Sequence, residues 1–428
     1  MTHPTAHPHR RAGHPGKNAA AGGPPPMNFD EAPFIVIWET TQACDLACKH
    51  CRACAQPERD PRELTTSEAM AMMSRVREFG RCIFVFSGGD VLKRDDVVEL
   101  VRHGADLGLR MAITPATTDL CTKEKMRELK EAGLVRLAIS LDGSNPEIHD
   151  TFRQVDGSFA HGLRILREAQ EVGLSTQVNT VIRRDNLDDM DDMCDLMQGL
   201  GVVFWEVFFL VPMGRAKPDD VASAAQFEAV FDRLYELSKT APFDIKATAA
   251  PHYARAVLQH KKAEAGERPV MANAGPVQMD VMTRGLKHSE SDGIGRARNV
   301  NDGDGFMFIS HIGDIYPSGF LPESAGNIRD DDPIEIYQTS ELFRSLRDRA
   351  NLKGKCGVCN YRSMCGGSRA RAFAVTGDPL EAEPFCDYTP PRWAAAIERG
   401  EALPDDEYFG RYERYSPAPT APLSIIPV

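Results

Sequence analysis

FIVIWETTQACDLACKHC, residues 34–51, sets a β-rich run directly in front of three cysteines. Phe34–Trp38 has the length and apolar content of a buried strand. Cys44, Cys48 and Cys51 follow in a C-x3-C-x2-C array, three thiols within eight residues. The array falls at the carboxyl end of the strand, where α/β folds place their ligands. Three thiolates this close together can wrap one small inorganic centre. A closed zinc or iron–sulfur site takes four ligands, so three leave a position open. Cys54 could complete a zinc site, and the spacing alone leaves both metals open.

The same strand opens a longer rhythm. Further β-rich runs are Cys82–Phe86, Arg110–Thr114, Val135–Leu141, Ser175–Ile182 and Val203–Val211. Helix-period segments lie between them: Thr65–Phe79, Asp95–Leu107, Thr122–Ala132, Phe159–Val172 and Leu187–Leu200, each followed by a glycine. Thr65 and Glu68 form a capping-box signature at the first, and glycine is the usual helix stop. Gln226–Lys239 follows the last strand. Six strand–helix units predict a parallel sheet covered by helices, as an open doubly wound sheet or a partial barrel.

The remainder divides by composition. Residues 1–30 read as a disordered Gly/Pro/His tail, in which His3, His7, His9 and His14 lack fixed partners. Residues 31–240 hold the repeating units, and 241–304 read as an irregular linker or insertion. Residues 305–392 start with two apolar runs around Gly313-Asp314, a hairpin signal, and 393–428 form a Pro-rich tail. The formal net charge is −12, which argues against nucleic-acid binding through a basic surface. No run of 18 apolar residues offers a membrane span. The first residues lack the apolar core of a secretory signal, so a cytoplasmic chain with reduced thiols is expected. In that setting, clustered cysteines read as metal ligands before disulfides.

Eight of the eleven cysteines lie in two clusters. The second, CGVCNYRSMCGG, gives Cys356-x2-Cys359-x5-Cys365, with Cys386 further on. Four soft ligands suffice to close a site. Spacing alone leaves zinc and iron–sulfur open. Cys82, Cys121 and Cys194 stand in strand or helix context and read as core residues.

With these motifs in view, the chain resembles the radical S-adenosylmethionine enzymes. The C-x3-C-x2-C array has an aromatic ring, His50, before its last cysteine. The resemblance implies that Cys44, Cys48 and Cys51 hold a [4Fe-4S] cluster whose open iron chelates S-adenosylmethionine. One electron then cleaves the cofactor to a 5'-deoxyadenosyl radical. FSGGD places Gly88, Gly89 and Asp90 where the family usually has Gly-Gly-Glu, and implies cofactor contacts there. AISLDGSNPEIHDTFR implies the same for Ser140 and Arg153, and QVNTVI for Asn179. The implied fold is a partial (β/α)6 barrel followed by a small SPASM/twitch-type iron–sulfur domain. Cys356, Cys359, Cys365 and Cys386 would ligate an auxiliary [4Fe-4S] cluster. Ser318 and Arg369 stand where relatives often carry further cysteines, so one auxiliary cluster is expected, fully ligated and suited to electron transfer.

The stretch from Cys365 to Cys386 resembles anaerobic haem-maturing members, including iron-coproporphyrin decarboxylases. That implies a haem-type tetrapyrrole substrate with a modified propionate, and a reductase, flavodoxin or ferredoxin as electron donor. His252, Tyr253, Arg255 and Arg215 are candidates for propionate contacts. The alternative within the class is a peptide-modifying enzyme. Outside it stands a zinc-stabilised α/β binding protein, colourless and unable to cleave S-adenosylmethionine.

Overall fold

The computed structural model describes residues 28–80, 82–266 and 300–410. The expected N-terminal tail, its four histidines, most of the 241–304 insertion and the last residues lie outside these ranges.

Seven strands run in chain order: β1 (Ile35–Thr41), β2 (Ile83–Gly88), β3 (Arg110–Ile113), β4 (Arg136–Ser140), β5 (Ser175–Ile182), β6 (Phe204–Phe209) and β7 (Asp244–Thr248). Each pairs in parallel with the next. The helices between them are α1 (Thr66–Arg77), α2 (Val97–Asp106), α3 (Lys123–Glu131), α4 (Pro146–Arg153), α5 (Ser158–Glu171), α6 (Met190–Gly199) and α7 (Ala224–Ser238). Thr65 caps α1 in the expected capping box with Glu68. The glycines that end the helices, Gly80, Gly108, Gly133, Gly173 and Gly201, all hold positive φ, between 66° and 110°.

Because each crossover advances by one strand, the helices collect on one face. Alternate strand residues there, among them Trp38, Phe84, Phe86, Ile113, Ile139, Val178 and Trp205, share one core with the helices. The opposite face is different. Near the amino ends of the strands it carries a small apolar patch around Ile83 and Ala112. Toward the carboxyl ends it turns polar. Ser140 pairs in register with Asn179, Asn179 with Glu206, and Glu206 with Lys246, a polar row running across four strands. A sheet covered on one face and polar on the other is the partial barrel that the motifs implied, not a doubly wound sheet.

Two features correct the sequence reading. First, the stretch expected to be irregular supplies β7 and then α8 (Tyr253–Glu264), so a seventh parallel strand joins the sheet. Second, the C-terminal hairpin does not stand apart. β8 (Phe306–Ile309) pairs in parallel with β1, and β9 (Asp314–Tyr316) and β10 (Gly326–Asn327) continue antiparallel. The sheet order is β10-β9-β8-β1-β2-β3-β4-β5-β6-β7. After it come α9 (Pro333–Thr339), α10 (Glu341–Arg347), α11 (Gly354–Val358), α12 (Arg369–Thr376), α13 (Pro391–Glu398) and α14 (Asp405–Gly410). Among the described residues no helix is long and apolar enough to cross a membrane.

The C-terminal segment is locked to the barrel by a buried ion pair. Arg371 on α12 donates to Glu383 at 2.8 Å, to the carbonyls of Phe209 and Leu210 at 3.2 Å each, and to that of Ala249 at 2.6 Å. Those carbonyls mark the ends of β6 and β7. Both charged side chains are buried, where a pair is tolerated only if its remaining hydrogen bonds are met. Ser368 N–H and Phe385 N–H complete the Glu383 carboxylate.

Candidate functional site

The first cysteine loop leaves the end of β1 and is pinched at its base. Cys44 N–H donates to Gln56 O at 2.7 Å, and Gln56 N–H to Gln42 O at 3.0 Å. Leu46 N–H reaches Cys44 Sγ and Ala55 N–H reaches Cys51 Sγ, each at 3.4 Å. The Arg153 guanidinium lies 3.5 Å from Cys48 Sγ. Such donors stabilise thiolate sulfur. All three cysteines are free thiols, and burial pushes Cys44 up to about 11. An electropositive centre is what would ionise it.

Several elements converge on this loop. Gly88 and Gly89, at the end of β2, press against its entry. A Cβ on Gly88 would collide with Thr41 O, and one on Gly89 with Ala43 O. Gly88 also has φ +138°, which disfavours any side chain. Asp90 is fully buried. Its carboxylate accepts from Leu92 N–H at 3.1 Å and from the Thr118 hydroxyl at 2.6 Å, so in this structure it is anchored within the turn. Burial raises its pKa against those donors.

Helix α4 delivers the ring and cation of the sequence motif. Phe152 stacks on His50 at 4.3 Å and 13°, and Phe152 O accepts from Lys49 N–H. Burial pulls His50 down to about 3, so its ring is neutral, and its Nδ1 is buried without a partner. Arg153 donates to the buried Asp142 at 2.7 Å. Asp142 also accepts from Val181 N–H at 2.8 Å. Burial would lift the Asp142 carboxyl, but the Arg153 charge holds it below its usual range. The turn residue Asp142 is thus a buried hub. His149 is likewise fully buried, accepting from Asp142 N–H at 3.0 Å. Their placement follows from packing of α4, which the one-dimensional pattern does not display.

Ser140 and Asn179 sit side by side on the polar face. The Asn179 side-chain oxygen accepts from Gln177 at 2.7 Å. The Arg215 guanidinium donates to Ala55 O at 2.7 Å and Cys48 O at 3.5 Å, holding the back of the cysteine loop. A Cβ on Gly214 would strike Cys51 O. Sequence reading also missed a buried trio. Glu39 on β1 accepts from Arg52 at 2.6 Å and from His311 at 3.0 Å. Burial favours its neutral form, yet Arg52 and His311 outweigh this and hold its pKa at about 2. Arg52 lies over Phe308 at 4.6 Å, so the trio ties the loop to β8.

The four C-terminal cysteines line one cavity of about 380 Å³ of empty space, including its mouth. Cys356 comes from α11, Cys359 from its end, Cys365 from the next turn and Cys386 from a later segment. Three sulfurs accept backbone donors at 3.4 Å: Cys359 from Tyr361, Cys365 from Gly367 and Cys356 from Glu383. Burial raises Cys359 to about 11 and Cys386 to about 12. Among the described residues no three His, Cys, Asp or Glu groups converge tightly enough for one metal ion. Four soft thiols on one cavity are ligand chemistry for zinc and for an iron–sulfur centre alike. His252 and Arg255 line this same cavity. Arg369 is fully buried and donates to Pro379 O and Glu381 O, and Ser318 is buried with its hydroxyl accepting from Phe320 N–H.

Residues 38–197, which hold the first loop, the glycine turn, Ser140, Arg153 and Asn179, match the Radical SAM superfamily. The AdoMet-dependent heme synthase of Methanosarcina barkeri is 40% identical over 84% of this chain and 97% of its own. The chain belongs to the radical SAM superfamily. The AdoMet-dependent heme synthase of Nitratidesulfovibrio vulgaris matches this radical SAM enzyme equally well, at 40% over 91% of the chain and 98% of the relative. Among solved structures, Streptococcus suis SuiB bound to its precursor peptide SuiA is similar in fold, with a TM-score of 0.65 at 15% identity, covering 84% of this chain and 76% of that one. Superfamily members use S-adenosylmethionine and a [4Fe-4S] cluster.

Proposed function

We propose that this radical SAM enzyme oxidatively decarboxylates propionate side chains of an iron–tetrapyrrole. The observation that carries the reading is similarity over most of both chains, at 40% identity, to two AdoMet-dependent heme synthases, joined to a four-thiol cavity in the C-terminal segment. When bound, S-adenosylmethionine and its cluster supply a carbon radical that takes a hydrogen atom, and an auxiliary cluster in the cavity supplies a one-electron acceptor.

The chain's own residues divide the remaining work. Cys44, Cys48 and Cys51 hold the first centre, and Cys356, Cys359, Cys365 and Cys386 the second. Arg215, Gly88 and Gly89 fix the first loop against the strand ends. The backbone of the glycine turn, Ser140 and Asn179 line the cofactor's side of the barrel, His50 stacks against Phe152 beside it, and Arg153 and Asp142 set charge next to Cys48. Asp90 shapes the turn from within. A propionate that loses one hydrogen atom and one electron releases carbon dioxide and leaves a vinyl group, which balances the step. The electron that starts the cycle comes from a flavodoxin- or ferredoxin-type donor in the cytoplasm. The peptide-modifying reading has weaker support: the PqqA peptide cyclase of Bradyrhizobium diazoefficiens is 28% identical over 84% of this chain, and the peptide-bound structural neighbour is 15% identical.

The test is anaerobic incubation with dithionite, S-adenosylmethionine and either iron-coproporphyrin or a candidate precursor peptide. The expected result is 5'-deoxyadenosine together with loss of the elements of formic acid from the tetrapyrrole. Peptide crosslinking with an untouched tetrapyrrole would overturn the substrate assignment.

A further inference from the structure

His252 stands just ahead of α8 and is 1% exposed. Both of its ring nitrogens are buried without a hydrogen-bond partner. One flank of the ring is closed by hydrocarbon, with Phe231 edge-on at 4.8 Å and Phe227 at 6.2 Å. The ring also lines the cavity that holds the four C-terminal thiols. Burial draws its pKa down to about 3, so the imidazole is neutral and carries one N–H. A buried donor with no acceptor is rare in folded proteins and costly to keep.

The other polar groups of the cavity do not supply that acceptor. The Glu383 carboxylate is taken by Arg371, Ser368 N–H and Phe385 N–H. The Tyr388 hydroxyl donates to Asn360. Lys355 is committed to Asp405 and Cys386 O. Arg255 is tied to Glu228 and Gln259, and its Nε is also buried without a partner. Two unmet donors thus share a pocket with four sulfurs.

We propose that His252 donates a hydrogen bond to the iron–sulfur centre held by Cys356, Cys359, Cys365 and Cys386, and thereby raises its reduction potential. The inference rests on the auxiliary-cluster reading above. A donor to cluster or thiolate sulfur withdraws electron density and favours the reduced state. The centre then takes up the one electron given up by the substrate radical as carbon dioxide leaves. No proton moves at His252. Its role is positioning and tuning, added to the three backbone donors at Cys356, Cys359 and Cys365.

The test is an EPR-monitored redox titration of the full-length holoenzyme as wild type, His252→Phe and His252→Gln. Phenylalanine keeps the ring among Phe227 and Phe231 and removes the N–H. The expected result is a roughly tenfold fall in the equilibrium constant for reducing the second centre, about 59 mV for one electron. Glutamine, which keeps an N–H, recovers much of it, and the first centre stays unshifted. An unchanged potential in His252→Phe overturns the proposal. Pulsed EPR of wild-type enzyme with 15N-labelled histidine is independent of how the variants fold. A weak histidine coupling at the second centre is expected, and its absence, or a coupling strong enough for direct ligation, contradicts the hydrogen bond. A wild-type chain with about four irons would instead remove the auxiliary cluster itself, a separate failure from an intact cluster with an unmoved potential.

Discussion

The two cysteine regions solve different problems with the same side chain. The first gathers three thiols on one loop at the strand ends, braced by Arg215 and by two glycines that admit no side chain. The second draws four thiols from separate segments into one cavity. Three ligands would leave a four-coordinate centre one open position, and four would leave none. Openness belongs where a cofactor must bind, and closure where only an electron must pass. A third group sharpens the contrast. Cys82, Cys121 and Cys194 are buried in the main core, where burial pushes them up to about 12, 12 and 11. A raised thiol pKa is therefore common to ligand and core cysteines. What sets the clustered cysteines apart is placement: the first three share one loop at the strand ends, and the last four share one cavity.

The largest expected effect breaks the first region. Replacing Cys44, Cys48 and Cys51 with alanine should drop 5'-deoxyadenosine formation to the uncatalysed background while the C-terminal centre persists. Continued cleavage at the wild-type rate would refute the open-site assignment. Replacing Cys356 and Cys359 should have a split outcome. Uncoupled cofactor cleavage continues in part, and product formation stops, as read by 5'-deoxyadenosine against tetrapyrrole product. Full turnover would remove the electron-transfer role.

A smaller effect tests the lock between the regions. Arg371→Met leaves the Glu383 carboxylate buried and unpaired, which should cost about 3–5 kcal/mol in urea unfolding. A loss under about 1 kcal/mol would mean the C-terminal segment is held by packing alone. The Glu39–Arg52–His311 trio gives a pH-dependent counterpart. Glu39 titrates near 2 in the folded chain against an ordinary 4.5. Its contribution is thus complete above about 4.5 and is lost as pH falls toward 2. Glu39→Gln should flatten that acid limb in a denaturation series, and an unaltered limb would show that other carboxylates govern it. The smallest effect is Ser140→Ala. Loss of one hydrogen bond of about 1 kcal/mol should raise the KM for S-adenosylmethionine about fivefold with little change in kcat. No change in KM would take Ser140 off the cofactor's side of the barrel.

Much of this architecture can be read in the chain because local signals agree. Thr65 with Glu68, and glycines closing five of the first six helices, mark the units without any knowledge of tertiary contacts. β7 escapes that reading because Asp244–Thr248 carries Asp244 and Lys246 and lacks an apolar run. Its place comes from pairing with β6, and Lys246 is answered by Glu206 across the strands at 2.9 Å. The parallel union of β8 with β1 joins segments far apart in sequence, which periodicity cannot report. The ligand cysteines are legible because their spacing is itself the signal. Asp142, Glu39 and His252 are not, since their importance lies in burial, and nothing in one dimension separates a buried carboxylate or imidazole from an exposed one.

The comparison between an open three-thiol site and a closed four-thiol site is tested most directly by counting iron and acid-labile sulfide. The measurement compares anaerobically purified wild type with the Cys44/Cys48/Cys51 alanine variant. Two four-iron centres predict about eight irons per wild-type chain and about four in the variant. About four irons in the wild type with zinc in the remainder, or no loss of iron in the variant, would contradict the account.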